Sequence, residues 1–208
     1  MSSQPRRYRC PTWIWNVLGG ITLSLITFHV IPIPKFDVPY STLHYSPEGD
    51  LLSATLAEDE FLRFPPTEHI PTKFYAALLT HIDQDFHSHA GLTPDRLFRS
   101  MISSSVPYSQ SCTLTQHVVR IARHKAPKGI RAHLVEWIIA LKLERATTKD
   151  DILHLYAHHV PFSPRIAGIE AASWHYFDRP SHELSWAEAA TLAVLPHTQN
   201  HFGLEDDE

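Results

Sequence analysis

The chain has 208 residues, 43% of them hydrophobic and 19% charged, enough for one globular domain with a substantial core. Its formal net charge of −4 supplies no broad positive field, which excludes nucleic acid as a partner read from charge.

The positive charge is local. "RRYR" at 6–9 precedes "WIWNVLGGITLSLITFHVI" at 13–31, a run without a formally charged side chain. A helix of that length matches the thickness of a bilayer's hydrocarbon core. A cleaved leader would have a shorter apolar region ending in small residues, whereas this run ends in "IPIPK". The expectation is a basic cytoplasmic tail over 1–12 and one transmembrane helix over 13–33. Arg6, Arg7 and Arg9 before the span, against Lys35 just after it, put the N-terminus in the cytoplasm and the rest of the chain outside it. Cys10 and Cys112 would then lie on opposite sides of the membrane, unable to pair with each other.

Residues 34–71 read as a stalk and a hairpin. "PIPKFDVPY" at 32–40 carries three prolines and cannot be regular helix. "STLHY" and "LLSATLA" flank "SPEGD", whose Pro47 and Gly49 suit a tight turn between two short strands.

From 72 to 208 the punctuation is helical. Thr93 with Pro94 is an N-cap followed by proline at the first helical position, and "TKDD" and "SWAE" each set a carboxylate three residues after a hydroxyl. Helices are expected over 73–84, 94–104, 113–124, 129–146, 149–158, 165–176 and 186–194. On the longest, Ile130, Leu134, Trp137, Ile138 and Leu141 fall at helical spacing and predict its core face. The fold class is mainly α, with a small β-hairpin at its start.

Two kinds of residue could carry chemistry. Sixteen histidines suggest a metal: His87 and His89 cluster with Asp83 and Asp85, and His154 and His158 share a helix face beside His159. Neither set has a zinc-site spacing, so a histidine-built metal hydrolase is the minor alternative and no metal ligand is assigned. Glu136 says more. It lies in the apolar stretch "LVEWIIALKLE", where an unpaired buried charge is costly, so it is either paired or facing a cleft. Arg120 and Lys128 could line the same cleft and would suit an anionic ligand such as a phosphate.

The order of five segments resembles the family 51 glycosyltransferases, the peptidoglycan polymerases at the N-terminus of class A penicillin-binding proteins, the 1C type most of all. The first segment of that family, E-D-x-x-F-x-x-H-x-G, stands here as "IDQDFHSHAG": Asp83, Phe86, His89 and Gly91 match, and Ile82 replaces the glutamate. The second, G-G-S-T-I-T-Q-Q, stands as "QSCTLTQHVVR", with Thr113, Thr115, Gln116 and the basic Arg120 kept and the glycines replaced. The third, R-K-x-x-E, stands as "AHLVE", with Glu136 kept and Ala132 and His133 in place of the basic pair. The fourth, K-x-x-I-L-x-x-Y-L-N, keeps Lys149, Ile152, Leu153 and Tyr156, and the fifth, "GIEAASWHYF", is nearly intact.

The resemblance implies a lysozyme-like glycosyltransferase domain facing the periplasm of a bacterial inner membrane. Its family reaction joins lipid II into glycan chains: a glutamate takes the proton from the acceptor's 4-hydroxyl as that oxygen attacks a lipid-pyrophosphate-linked sugar. It further implies Glu136 and Asp83 as catalytic residues, and Thr115, Gln116, Arg120, Lys128, His133 and His89 as substrate-binding. A divalent Mg or Mn would be the only cofactor, and the partners would be lipid II or a glycan strand, membrane lipid and other cell-wall synthases. Because Ile82 cannot accept a proton, the expected activity is weak or lost. The alternative is a non-catalytic module that binds lipid-linked precursor or cell-wall synthases. Neither S-x-x-K nor K-T-G occurs, so no transpeptidase function is expected.

Overall fold

The computed structural model describes residues 30–48, 51–67, 69–97, 112–124 and 129–198. Two compact units divide at residue 32, and the fold described here is that of the second, Ile33–Glu208. The expected basic tail, most of the expected span, Cys10 and Lys128 lie outside the described residues. Among those described, no helix is long and apolar enough to cross a membrane.

The domain is mainly helical. It opens with an extended strap over 33–41 and then the expected hairpin, β1 (Thr42–Tyr45) antiparallel to β2 (Leu51–Thr55), with an irregularity between His44 and Tyr45. A second small sheet sits between the helices. Its central strand β5 (Ile166–Ala167) pairs in parallel with β3 (Leu62–Arg63) and antiparallel with β4 (Pro161–Ser163).

Among the described residues, six helices carry the core. In α1 (Thr72–Ile82), Phe74, Leu78 and Ile82 recur every four residues and are all buried, facing α6 (Trp186–Thr198), where Leu192 and Ala193 are also buried. Helix α2 (Leu114–Arg123) is buried throughout its first seven residues, which marks it as the central rod. Against it pack α3 (Ile130–Ala146) and α4 (Lys149–His159), while α5 (Ile169–Phe177) packs on α4 and α6. The hydroxyl-to-carboxylate caps form as the sequence predicts: Thr148 and Asp151 exchange bonds at the start of α4, and Ser185 and Glu188 at the start of α6.

Two expectations are corrected. Helix α5 begins at Ile169, not at 165, because Ile166 and Ala167 join the small sheet and Gly168, at φ +88°, donates its N–H to the Val160 carbonyl. A Cβ at Gly168 would meet the His158 carbonyl oxygen at 2.6 Å, so this turn is closed to larger residues. The second correction is the core face of α3. Its buried residues are Glu136, Ile139, Ala140 and Leu143, whereas Ile130 and Leu134 of the predicted stripe are exposed and Trp137, Ile138 and Leu141 half-buried. Both faces of this helix carry apolar side chains at the right spacing. The face that turned inward is the one bearing the glutamate, because that carboxylate finds its partners on α2.

Candidate active site

The first cluster is built on the end of α1. Asp83 follows the last helical residue and is 1% exposed. Its Oδ2 accepts the Leu114 backbone N–H at 3.0 Å, which fastens the start of α2. His89 Nε2 lies 3.0 and 3.1 Å from the two carboxylate oxygens, and an Arg96 nitrogen lies 3.3 Å from Oδ1. His89 Nδ1 accepts the Gly91 N–H at 3.0 Å, so the ring's proton is on the nitrogen that faces Asp83. Arg96 also donates to the carbonyls of Ile82 and Cys112, at 2.8 and 2.7 Å. Burial opposes ionisation of Asp83, but His89, the Leu114 N–H and Arg96 together outweigh it and hold the carboxyl below its ordinary value.

The second cluster lies along α2. Thr113 caps the helix and its hydroxyl donates to the Gly91 carbonyl at 2.7 Å, joining this helix to the loop of the first cluster. Gln116 accepts the Thr113 N–H with its side-chain oxygen and donates its amide to Glu136 Oε1 at 3.1 Å. Arg120, one turn further, meets the same carboxylate two-toothed: Nε to Oε2 at 2.8 Å and Nη2 to Oε1 at 3.0 Å. Glu136 is 1% exposed and Arg120 8%, so the pair is dry.

Of the two possibilities open for Glu136, pairing is the one realised. The spacing Gln116–Arg120 presents both donors on one helix face, opposite a glutamate that the apolar run of α3 carries inward. Thr115 is fully buried and donates to Glu144, whose Oε1 also accepts from Lys149 at 2.8 Å. Lys149 in turn donates to the His89 carbonyl and lies 4.2 Å from the centre of the Phe86 ring.

Five of the eight residues named from sequence, Asp83, His89, Gln116, Arg120 and Glu136, therefore fall into two hydrogen-bonded clusters joined through Gly91. Thr115 reaches them through Glu144 and Lys149. His133 stands apart on α3, its Nδ1 buried without a hydrogen-bond partner, beside Trp137 at 6.3 Å between ring centres. Two residues were missed. Arg96 left no sequence signal, being one arginine among many. Glu144 could have been found, because it lies two turns after Glu136 in the same quoted helix. Among the described residues, no three His, Cys, Asp or Glu side chains gather where they could hold a metal. The divalent ion that the family resemblance implies has no cage built from the described side chains of these types.

Residues 48–207 match the family described as Transglycosylase. The chain belongs to the family 51 peptidoglycan glycosyltransferases. This glycosyltransferase domain is 32% identical to penicillin-binding protein 1C of Escherichia coli K12 over 79% of its own length and 22% of that protein's. It is 32% identical to penicillin-binding protein 1A of Pseudomonas aeruginosa over 94% of this chain and 24% of that one. To the biosynthetic peptidoglycan transglycosylase of Pasteurella multocida it is 31% identical over 84% of this chain and 70% of that one. The glycosyltransferase domain thus spans about a quarter of the penicillin-binding proteins it matches.

Proposed function

We propose that this chain engages lipid II or a growing glycan strand, with chain polymerisation weak or lost. The observation that carries the reading is Ile82. It ends α1 where the resemblance puts the family's glutamate, and its side chain is 2% exposed among core residues. Polymerisation needs a base that removes the acceptor's hydroxyl proton as the new C–O bond forms and the lipid pyrophosphate leaves. Isoleucine has no such group. Asp83, the adjacent carboxylate, has its oxygens engaged by Leu114, His89 and Arg96, and it serves the reading as the residue that positions the loop.

In this reading His133 and Lys128 supply hydrogen-bond donors or positive charge to the pyrophosphate, and Glu136, paired with Arg120, holds the helix that carries His133 against its neighbour. Thr115, Gln116 and His89 act from behind, by holding Glu144, Glu136 and the loop in place. Loss of general-base help costs on the order of 10²- to 10⁴-fold in rate. Ala132 and His133, in place of the family's basic pair, remove further stabilisation of the departing pyrophosphate. The purified full chain, given lipid II in detergent with a divalent metal, is expected to bind it and to form no detectable glycan chains. Ile82→Glu combined with Ala132→Arg and His133→Lys is expected to recover measurable chains. Robust polymerisation by the unmodified protein would overturn the loss of activity, and failure to bind lipid II would overturn the reading itself. A chain that binds and does not polymerise acts as a module presenting precursor to other cell-wall synthases.

The same reading places the domain in the periplasm, anchored by 13–33. The arginines before that run and the lack of charge within it support this. A C-terminal reporter that works only in the cytoplasm should stay silent, and strong signal from it would reverse the topology.

A further inference from the structure

We propose that His154, His158 and His159 form an acid-triggered latch on the extended strap of residues 33–41, so that their protonation frees the strap's first half from the domain. The strap has two attachments of different chemistry. Near its end it is fixed by hydrogen bonds: Arg63 donates to the Pro39 carbonyl at 2.7 Å, the Ser41 N–H to the Arg63 carbonyl at 2.8 Å, and the Arg63 N–H to the Ser41 hydroxyl at 3.0 Å. Its first half is held by a stack. The Phe36 ring lies on the His159 ring with centres 4.2 Å apart and planes 19° from parallel.

His159 is the last residue of α4 and is 9% exposed, as is His158 beside it. His154, one turn back, has its ring centre 6.0 Å from that of His158. A hydrogen bond between His158 and the backbone of Thr67 favours a charged ring there, while the groups that bear on His159 favour the neutral one. His158 from the same helix and Arg63 from β3 bear on His159, and both would repel an imidazolium there. Asp59 is already paired with Arg63 at 3.0 Å. Tyr75 on α1 presents its ring to His154 at 6.0 Å, and Asp150 bears on Tyr75, a turn or more away from the stack. Asp37, the carboxylate of the strap, is exposed.

Burial first, then His158 and Arg63, push His159 down to about 4, and burial, then His154, push His158 down as well. A proton on His159 draws some cation–π attraction from Phe36, but the ring regains full hydration only by turning out into water. When it turns, the stack is lost. Prolines 34 and 39 keep the freed segment extended while residues 39–41 stay fixed by the Arg63 and Ser41 bonds. The device makes the attachment of the strap's first half depend on acidity.

The test uses the full chain in detergent with isotope-labelled Phe and His rings. Magnetisation transfer between Phe36 and His159 is expected at pH 7.5 and lost by pH 4.5, while the signals of the fully buried Phe74, Phe86 and Phe162 hold their positions. In His159→Phe the ring contact with Phe36 should persist at both pH values. His158→Gln, which removes one of the like charges, should keep the stack at neutral pH and move its loss to lower pH. The proposal is overturned if the wild-type contact survives at pH 4.5, if it disappears only together with the core signals, or if His158→Gln leaves the midpoint in place. It is equally overturned if a folded His159→Phe loses the contact at the wild-type pH.

Discussion

The carboxylate of Glu136 shares its two oxygens between Arg120 and Gln116 in a setting almost free of water. Removing one member of such a pair leaves an uncompensated charge in the interior, so Arg120→Met should cost about 3–5 kcal/mol in chemical denaturation. Arg120→Met with Glu136→Leu should cost less than Arg120→Met alone, because no charge is then stranded. An additive double variant would show that the two groups are not coupled. That Glu136 needed company was legible from its apolar surroundings, and Arg120 was named as a neighbour from the sequence. Asp83 was not legible in the same way. A carboxylate in a loop of Asp and His reads as a reactive group, and only the positions of Leu114, His89 and Arg96 show that its oxygens are occupied in fastening one helix to the next. Those partners come from three separate stretches of chain, and no local pattern announces them.

At the scale of elements, caps and turns were the readable part. Thr148 with Asp151 and Ser185 with Glu188 mark helix starts because the bonds that stop the fraying are local. The inward face of α3 was misread because periodicity counts apolar residues and both of its faces have them. Tertiary partners decided between the two: two hydrogen-bond donors on α2 outweighed the exposure of Ile130 and Leu134. Ile130→Gln and Leu134→Gln should therefore change stability by no more than about 0.5 kcal/mol, whereas Ile139→Ala should cost about 2–5 kcal/mol in the same denaturation experiment. Comparable losses on the two faces would mean that the helix is rotated from the position described.

For the molecule as a whole, the buried imidazoles and the buried carboxylate set two steps in acid. His158 and His159 titrate below their ordinary value of 6.5 in the folded state, so between 6.5 and about 4 the unfolded chain binds more protons than the folded one. Stability is greatest above that window and falls as pH drops through it, by on the order of 1–2 kcal/mol once solvent screening is allowed for. Asp83 is held below its ordinary 3.8, so its contribution survives that first step and is lost only at lower pH, as the folded carboxyl takes up its proton. Thermal melts from pH 8 to 3 should show the first decline in the wild type and a shallower one in His159→Phe. A flat profile between pH 7 and 4.5 would remove the histidines from the account.

The parallel pairing of Leu62–Arg63 with Ile166–Ala167 joins strands roughly a hundred residues apart, and ribosomes deliver about 5–20 residues per second. The first third of the domain must therefore wait on the order of 5–20 seconds for its partner strand to be made, with α1 also lacking α6. Through that interval the apolar side of α1 is uncovered while the nascent chain is still attached. The domain thus has a period of exposure during synthesis, set by connectivity rather than by sequence hydrophobicity, in which a holding chaperone would have its target.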